Sequence, residues 1–388
     1  MHRAHIVALL ATLTVSIPLG ACRDARSTPS AAQHAQAPLA PVRESHDARA
    51  FSGRVPRLGR DDQPRDTIRL SRLFGDSMAF ASIAAIESLG DRLLVADRMM
   101  SRHLALVDLR TGAVGARAGG HGQGPGEFQD PASFIVESAS PLRAWLYDFQ
   151  NRRMSLVVTD GNELEVKDVR PLNVGESLER PVRLGSRMLA NGLFPDYTLL
   201  VMDTAGVPQE RIVSDPPFPA GTISHVVGRR MLNRSYLDAA PSGQRLVLAY
   251  QWASRIDVFA PDGSRIGSIQ GPRTTTARYE VRNGRFFWDP QGEMAYTAVR
   301  ATDRHIYALF CGCREADDRD QRSQRVHVFR WNGDFVAEIQ LDRRVTAFAV
   351  SPDDAVLYAA ITEPHPAVGE WHLPLALRTG TDRRSVRG

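Results

Sequence analysis

Lysine is almost missing from this chain. Lys167 is the only one, so nearly all of the 48 basic residues are arginine. The arginines are scattered singly, without a basic run interleaved with aromatics, so the net charge of +4 does not mark a nucleic-acid surface. Aromatic residues make up only 7% of the sequence, whereas glycine (30) and proline (24) are frequent. That balance suits a turn-rich β architecture more than a helical one. Long apolar runs are lacking too: the run from Ile6 to Leu19, about 14 residues, is too short to cross a ~30 Å hydrocarbon core as a helix. Catalytic signatures are equally scarce. The sequence holds no Gly-Lys-Ser/Thr phosphate loop, no Gly-x-Ser-x-Gly elbow and no His-Glu-x-x-His pair. Pro241-Ser242-Gly243 reads as a turn, and His365 and His372 are too far apart to form a local metal pair.

What is present begins at the N-terminus. Arg3 precedes the Ile6–Leu19 run, and Leu19-Gly20-Ala21-Cys22 follows, giving a secretory signal over residues 1–21. Leu-Gly-Ala-Cys closely resembles a bacterial lipobox, which implies lipidation of Cys22 and attachment to the membrane through acyl chains. Arginine, not aspartate, follows the cysteine, and by the bacterial sorting rule that favours the outer membrane, facing the periplasm or the outside. Residues 22–63 are rich in Ala, Pro, Arg, Gln, Ser and Asp without apolar period, and read as a disordered tether. Residues 64–376 form the folded part, and 377–388 read as a flexible tail.

The folded part repeats. Arg102-His-Leu-Ala-Leu-Val leads to Gly112, Arg153-Met-Ser-Leu-Val-Val to Gly161, Arg255-Ile-Asp-Val-Phe-Ala to Gly263, and Arg325-Val-His-Val-Phe-Arg to Gly333. Each is read as an alternating strand followed by a hairpin, and Asp-Gly or Asn-Gly at the turn predicts type I′ geometry. Asp97 and Asp148 each stand five residues before the repeat's arginine, Arg102 or Arg153. A turn aspartate accepts backbone N–H bonds, and the arginine after it is expected to pair with it across the hairpin. A weaker copy at Tyr197–Asp203 and Gly206, and a last one at Val345–Ile361, bring the number to six units of roughly fifty residues. The expectation is an all-β, six-bladed β-propeller of four-stranded antiparallel blades. Its final unit lacks a strand, which Thr67-Ile-Arg-Leu70 from the N-terminus would supply, closing the ring.

The repeat, together with Gly122-Gln-Gly-Pro-Gly-Glu-Phe-x-x-Pro131, resembles the NHL-type and TolB-like six-bladed propellers. The segment from His305 to Ser351 is similar to TolB-like propeller lipoproteins. The resemblance spans about residues 66–375. It implies a fold and no catalytic motif.

The glycine-rich stretch Gly119–Phe128 contains no lysine, and Pro125, Gly126 and Pro131 oppose the helix that a dinucleotide site requires. It is read as a crossing between blades wedged by Phe128, with Gln123, Glu127 and Asp130 as the candidate contact loop, the two acids toward the end of the central channel. For Cys311 and Cys313 three states stay open: free thiols, a local disulfide in a small ring, or a metal site that lacks enough nearby ligands. No catalytic residue, cofactor or metal ligand is assigned. The expected function is a lipid-anchored binding or scaffolding module of the cell envelope, with an envelope protein or glycan as partner and no nucleic acid. The alternative is a propeller hydrolase or lyase with a channel metal. Three or more Asp, Glu, Asn or His side chains converging on the axis would favour that alternative; a channel lined by Arg, Ser and apolar groups would oppose it.

Overall fold

Leu246–Tyr250 and His305–Phe310 are buried at every position. A strand of that kind needs cover on both faces, and here neighbouring sheets supply it. The computed structural model describes residues 40–45, 51, 53–59, 62–64, 66–161, 163–172, 174–194, 196–219, 223, 225–314, 316–317 and 323–379. The first blade pairs Ile83–Ser88, Arg92–Asp97, Leu104–Asp108 and Val114–Ala118 in sequence order. The second runs from Pro131–Ala139 to Glu163–Pro171, the third from Leu178–Leu184 to Pro208–Val213, and the fourth from Ser235–Ala239 to Arg265–Gln270. The last two blades share one sheet. Phe335–Val350 is the outer strand of the fifth blade and, without a break, the inner strand of the sixth.

The six inner strands pack each against the next, and the last returns to the first, so the ring is closed. Between every pair of adjacent blades lies one apolar layer, and these six layers take the place of a single core. The repeat strands expected to alternate therefore do not: Leu104–Asp108 and Arg255–Phe259 bury four of five residues each. Each buried Val, Leu or Phe contributes about 1.5–3 kcal/mol, so the stacking of blades carries the stability.

Strand direction alternates within a blade. The crossing from one blade's outer strand to the next blade's inner strand thus lies on the same face as the turn between second and third strands. We call this the connection face, and the opposite one the turn face. The turn-face glycines have positive φ as expected, 83° at Gly263 and 86° at Gly333, but Asp262 and Asn332 do not share it. Gly263 N donates to Ala260 O (2.9 Å) and Ala260 N to Ser264 O (2.8 Å). With the register shift beside Phe259, this is a type I turn closed by a glycine bulge, not the type I′ turn expected.

The N-terminal segment does close the ring, three residues further on than Thr67-Ile-Arg-Leu70 suggested. Leu70–Phe74 pairs antiparallel with Ala367–His372, while Asp66–Ile68 adds a parallel strand to the outside of the fifth blade. Part of the stretch 22–63 expected to be a disordered tether is ordered. Val42–Glu44 pairs parallel with Pro208–Val213 on the outer edge of the third blade. Arg43 Nε donates to Glu210 (2.6 Å), and Arg265 N donates to Ser45 Oγ (2.6 Å). Further along, Phe51 and Val55 pack on the layer between the fourth and fifth blades. Leu58 N donates to Pro272 O (2.8 Å), and Arg273 donates to Asp62 O (2.6 Å). The segment is a strap along the rim. Exposed edge strands offer unpaired N–H and C=O groups, and a polar segment can dock on them without apolar periodicity. At the other end, Leu377 is buried and Arg378 donates to Ala355 O (3.0 Å), so the fold extends past residue 376. Cys22 and the signal segment lie outside the described residues.

Candidate functional site

The glycine-rich stretch is the crossing from the first blade to the second. Gly120–His121 and Glu127–Phe128 form a two-residue parallel pair. Phe128 is fully buried against Gly119, where a Cβ would come within 2.4 Å of the ring. Arg153 holds this loop through its carbonyls: its Nη2 donates to Gly124 O (2.8 Å) and Glu127 O (2.5 Å), and its Nη1 to Gln123 O (2.6 Å). Glu127 does not reach toward the channel, because its carboxylate accepts from Gly124 N (2.8 Å). Asp130 accepts from Arg98 Nε (2.6 Å). Glu127 and Asp130 thus spend their carboxylates on the loop itself and its neighbours, while Gln123 is exposed.

Asp97 and Asp148 are buried and equivalent. Asp97 accepts from the amides of Ala81 and Ser82 (2.8 and 2.9 Å) and of Met99 and Met100 (2.9 and 3.1 Å). Asp148 accepts from the amides of Gln129 and Asp130 (2.9 and 3.0 Å), from Asn151 N (3.2 Å) and from Asn151 Nδ2 (2.8 Å). Each carboxylate pins the blade-to-blade crossing to a turn of its own blade. The expected pairing with the following arginine does not form: Arg153 is on the loop carbonyls and Arg102 is exposed. Arg255 is different, since it grips the buried Asp257 with two bonds (2.8 and 2.9 Å). Arg325 is half-buried; burial and then the nearby Arg273 lower its pKa.

The axis holds a constellation that no local motif announces. Glu87, Arg180, Asp238 and Arg300 come from the inner strands of the first, third, fourth and fifth blades. Arg300 Nη1 donates to Glu87 Oε1 (2.8 Å), its Nη2 to Ile86 O (2.9 Å) and its Nε to Phe348 O (2.6 Å). Arg180 Nη2 donates to Asp238 Oδ1 (3.1 Å) and approaches Glu87 at 3.5 Å, while Asp238 Oδ2 accepts from Ala301 N (2.9 Å). Burial raises the Glu87 carboxyl pKa against the pull of Arg300 and Arg180. Guanidinium groups occupy one oxygen of each acid, Glu87 Oε1 and Asp238 Oδ1, and a backbone amide occupies Asp238 Oδ2. This donor set fits an ionic plug, not a metal. Among the described residues, no three His, Cys, Asp or Glu side chains are grouped to hold a metal ion.

The connection face is built up further by two insertions. The helix Val226–Leu232 lies in the crossing from the third to the fourth blade, and the hairpin Tyr279–Arg282 with Arg285–Trp288 in the crossing from the fourth to the fifth. They pack on each other and on the blades through Trp252, Ile223, Met294 and Phe286. Gly228 permits this contact, since a Cβ there would stand 2.4 Å from the Phe286 ring. Above this small core Val226, Val227, Met231, Val281 and Phe287 remain exposed, and Met78 and Met99 are exposed on the same face. Beside the helix, a cleft of about 300 Å³ is lined by Phe194, Tyr197, Arg230 and Asn233. The turn face has a smaller cleft, about 170 Å³, whose Arg143 and Arg183 both engage Glu137.

Cys311 and Cys313 are joined in a disulfide with Cα atoms 4.9 Å apart. Closing a three-residue ring removes little entropy from the unfolded chain, about 1.6 kcal/mol on the loop-closure relation.

Sequence comparison adds the family. The model of the TolB-like six-blade propeller family matches residues 84–353. No curated protein matches the sequence. Among solved structures, the fold is similar to a Bacteroides fragilis protein named for its inferred export: 12% identity, TM-score 0.55, covering 86% of this chain and 99% of that one. The Swd1 β-propeller domain of Myceliophteria thermophila is a looser match: 10% identity, TM-score 0.44, covering 79% of this chain and 100% of that one. At these identities the likeness is one of fold.

Proposed function

The chain belongs to the TolB-like six-bladed propeller family, and on that footing we infer that it is a binding or scaffolding module, exported and lipid-anchored at Cys22 in the cell envelope. The observation that carries this reading is the connection face. Apolar side chains are normally dispersed over a surface, and their concentration on one rim-bounded face marks a contact site. Here Val226, Val227, Met231, Val281 and Phe287 are raised on two insertions that the propeller ring does not need for closure. Arginines lie among them: Arg282 and Arg285 flank the hairpin tip, and Arg229 and Arg230 the helix. An apolar centre with arginine at its margin suits a protein partner. The envelope location draws on the lipobox-like Leu19–Cys22 and on the exported relative in fold.

The enzyme reading has less support. Its channel metal would compete with Arg180 and Arg300 for the Glu87 and Asp238 oxygens.

A pull-down from solubilised envelope tests the reading, using the anchored protein, a Cys22→Ala control and a Val227→Asp/Phe287→Asp variant. Both substituted side chains are about half exposed (54% and 48%), so the variant should fold normally. A partner captured by the native face and lost, about tenfold or more, from the double variant is the expected result. Equal capture by all three baits would remove the connection face from the reading.

A further inference from the structure

The disulfide between Cys311 and Cys313 has no evident structural task. The segment it bridges is already fixed by backbone bonds on both sides of the ring. Cys311 N donates to Ala295 O (2.8 Å), Gly312 N to Met294 O (3.0 Å), and Met294 N to Cys313 O (2.9 Å). Gly312 has φ of 58°, a conformation that suits glycine and folds the chain so that its two neighbours face each other. The two sulfurs would therefore stay adjacent with the bond open. A bridge that joins only next-but-one residues, in a loop held by other means, can open and close without unfolding its surroundings.

The pair is also accessible. Neither cysteine is buried, and both line a cleft of about 590 Å³ on the connection face, together with Gln63, Gln340, Arg325 and Arg344. Reactive cysteines sit in partly exposed, electropositive surroundings, because a nearby cation stabilises the thiolate. Here the cleft onto which both cysteines open is lined by two guanidinium groups, Arg325 and Arg344, and by one carboxylate, Asp317, so its charge is positive on balance.

We propose that Cys311 and Cys313 are an exchangeable redox pair, and that the cleft beside them admits a thiol substrate. The thiolate of an incoming thiol attacks one cysteine sulfur. The Cys311–Cys313 bond breaks, a mixed disulfide forms, and the other cysteine leaves as a thiolate facing the cleft. A second substrate thiolate attacks the mixed disulfide, releasing the oxidised substrate and the second cysteine thiolate. Two thiols are oxidised to one disulfide, the bridge is reduced to a dithiol, and the two protons pass from the substrate thiols to the cysteines. A thiol or protein dithiol is the reductant, and a disulfide reverses the sequence. Nothing in this chemistry depends on the lipid anchor or on the apolar patch.

The test uses the full chain in glutathione buffers graded from oxidised to reduced, with acid quenching, alkylation of free thiols and mass spectrometry. The pair should be reduced and re-oxidised reversibly while near-ultraviolet circular dichroism stays native. Cys313→Ser should accumulate a glutathione adduct on Cys311, since no second thiol is left to resolve it. Arg325→Gln/Arg344→Gln should slow opening about threefold, the effect of a leaving thiolate roughly one pKa unit more basic. A bridge that glutathione opens only after the chain is unfolded in guanidinium would overturn the proposal. So would an opening rate indifferent to the two arginines.

Discussion

Two sets of carboxylates join the blades, one buried and one half-buried, and they are made in opposite ways. Asp97 and Asp148 each act within about twenty residues of chain, on backbone amides, and the same arrangement recurs from one blade to the next. Glu87 and Asp238 act at the axis on guanidinium groups, and the four side chains involved come from four blades. The first is a local joint that a single repeat can specify. The second exists only once the ring is closed, so its cost of burial is offset only in the finished molecule. Local joints should therefore be separable, and axial ones should depend on ring closure and on one another.

The most severe way to break the axial set is to open the ring. Deleting residues 64–74 removes the outer strand of the sixth blade and the buried Phe74. The loss should exceed the about 3–5 kcal/mol typical of truncating one buried phenylalanine, and should lower the melting temperature markedly. An unchanged melting curve would argue against closure by this strand. Next in size, Arg300→Met should cost about 3–5 kcal/mol in denaturant unfolding, because Glu87 loses its nearest partner. Adding Glu87→Met should recover a large part of that loss. Simple additivity of the two changes would mean that the axis is not a coupled network.

Glu338 lies between the two kinds. It bonds His327 on the neighbouring strand (2.9 Å) and Arg273 from the blade crossing (2.6 and 2.7 Å). Burial alone would raise its pKa, yet these bonds bring it down to about 2. A depressed carboxyl stabilises the fold above its unfolded value of 4.5 and loses that contribution as pH falls toward 2, on the order of 3 kcal/mol. His327, lowered by burial despite Glu338, adds a loss that begins nearer pH 6.5. Glu87, whose pKa is raised, has the opposite sign: its protonation on acidification favours the folded state. Denaturant unfolding between pH 3 and 7 should then show Glu338→Gln flattening the acid limb and Glu87→Gln steepening it. The same slope in both variants would contradict the assignment. The smallest effect belongs to the local joints. Asp97→Ala and Asp148→Ala should each cost about 2 kcal/mol and by similar amounts, since both leave backbone amides unpaired. A large difference between them would break their equivalence.

Legibility in the sequence follows the same division. Asp97, Asp148 and the turn glycines could be read because their partners are close along the chain and the pattern recurs. Phe128 could be placed because prolines on either side ruled out a helix. The axial Arg180 and Arg300 could not, because what defines them is the meeting of inner strands from different repeats. The strap at Val42–Glu44 was missed for a related reason: a short polar strand leaves no periodicity when its purpose is to cover an edge. The insertions at Val226–Leu232 and Tyr279–Trp288 do not follow the repeat, although Phe286-Phe287-Trp288 is the densest aromatic run in the chain. The type I′ expectation failed because Asp-Gly serves a glycine-bulge turn equally well.

The strap also sets an order of events. Arg43 meets Glu210 across 167 residues of chain, and Ser71 meets Glu370 across 299. Loop closure over such distances is slow, so these contacts form after the local hairpins have paired. The residues that emerge first in synthesis are therefore among the last to find their places. Until the sixth blade exists, the segment from Ala40 to Phe74 has no complete docking track, and the molecule is an open arc with two unsatisfied ends. Completion of the propeller and docking of the strand Leu70–Phe74 are one and the same step.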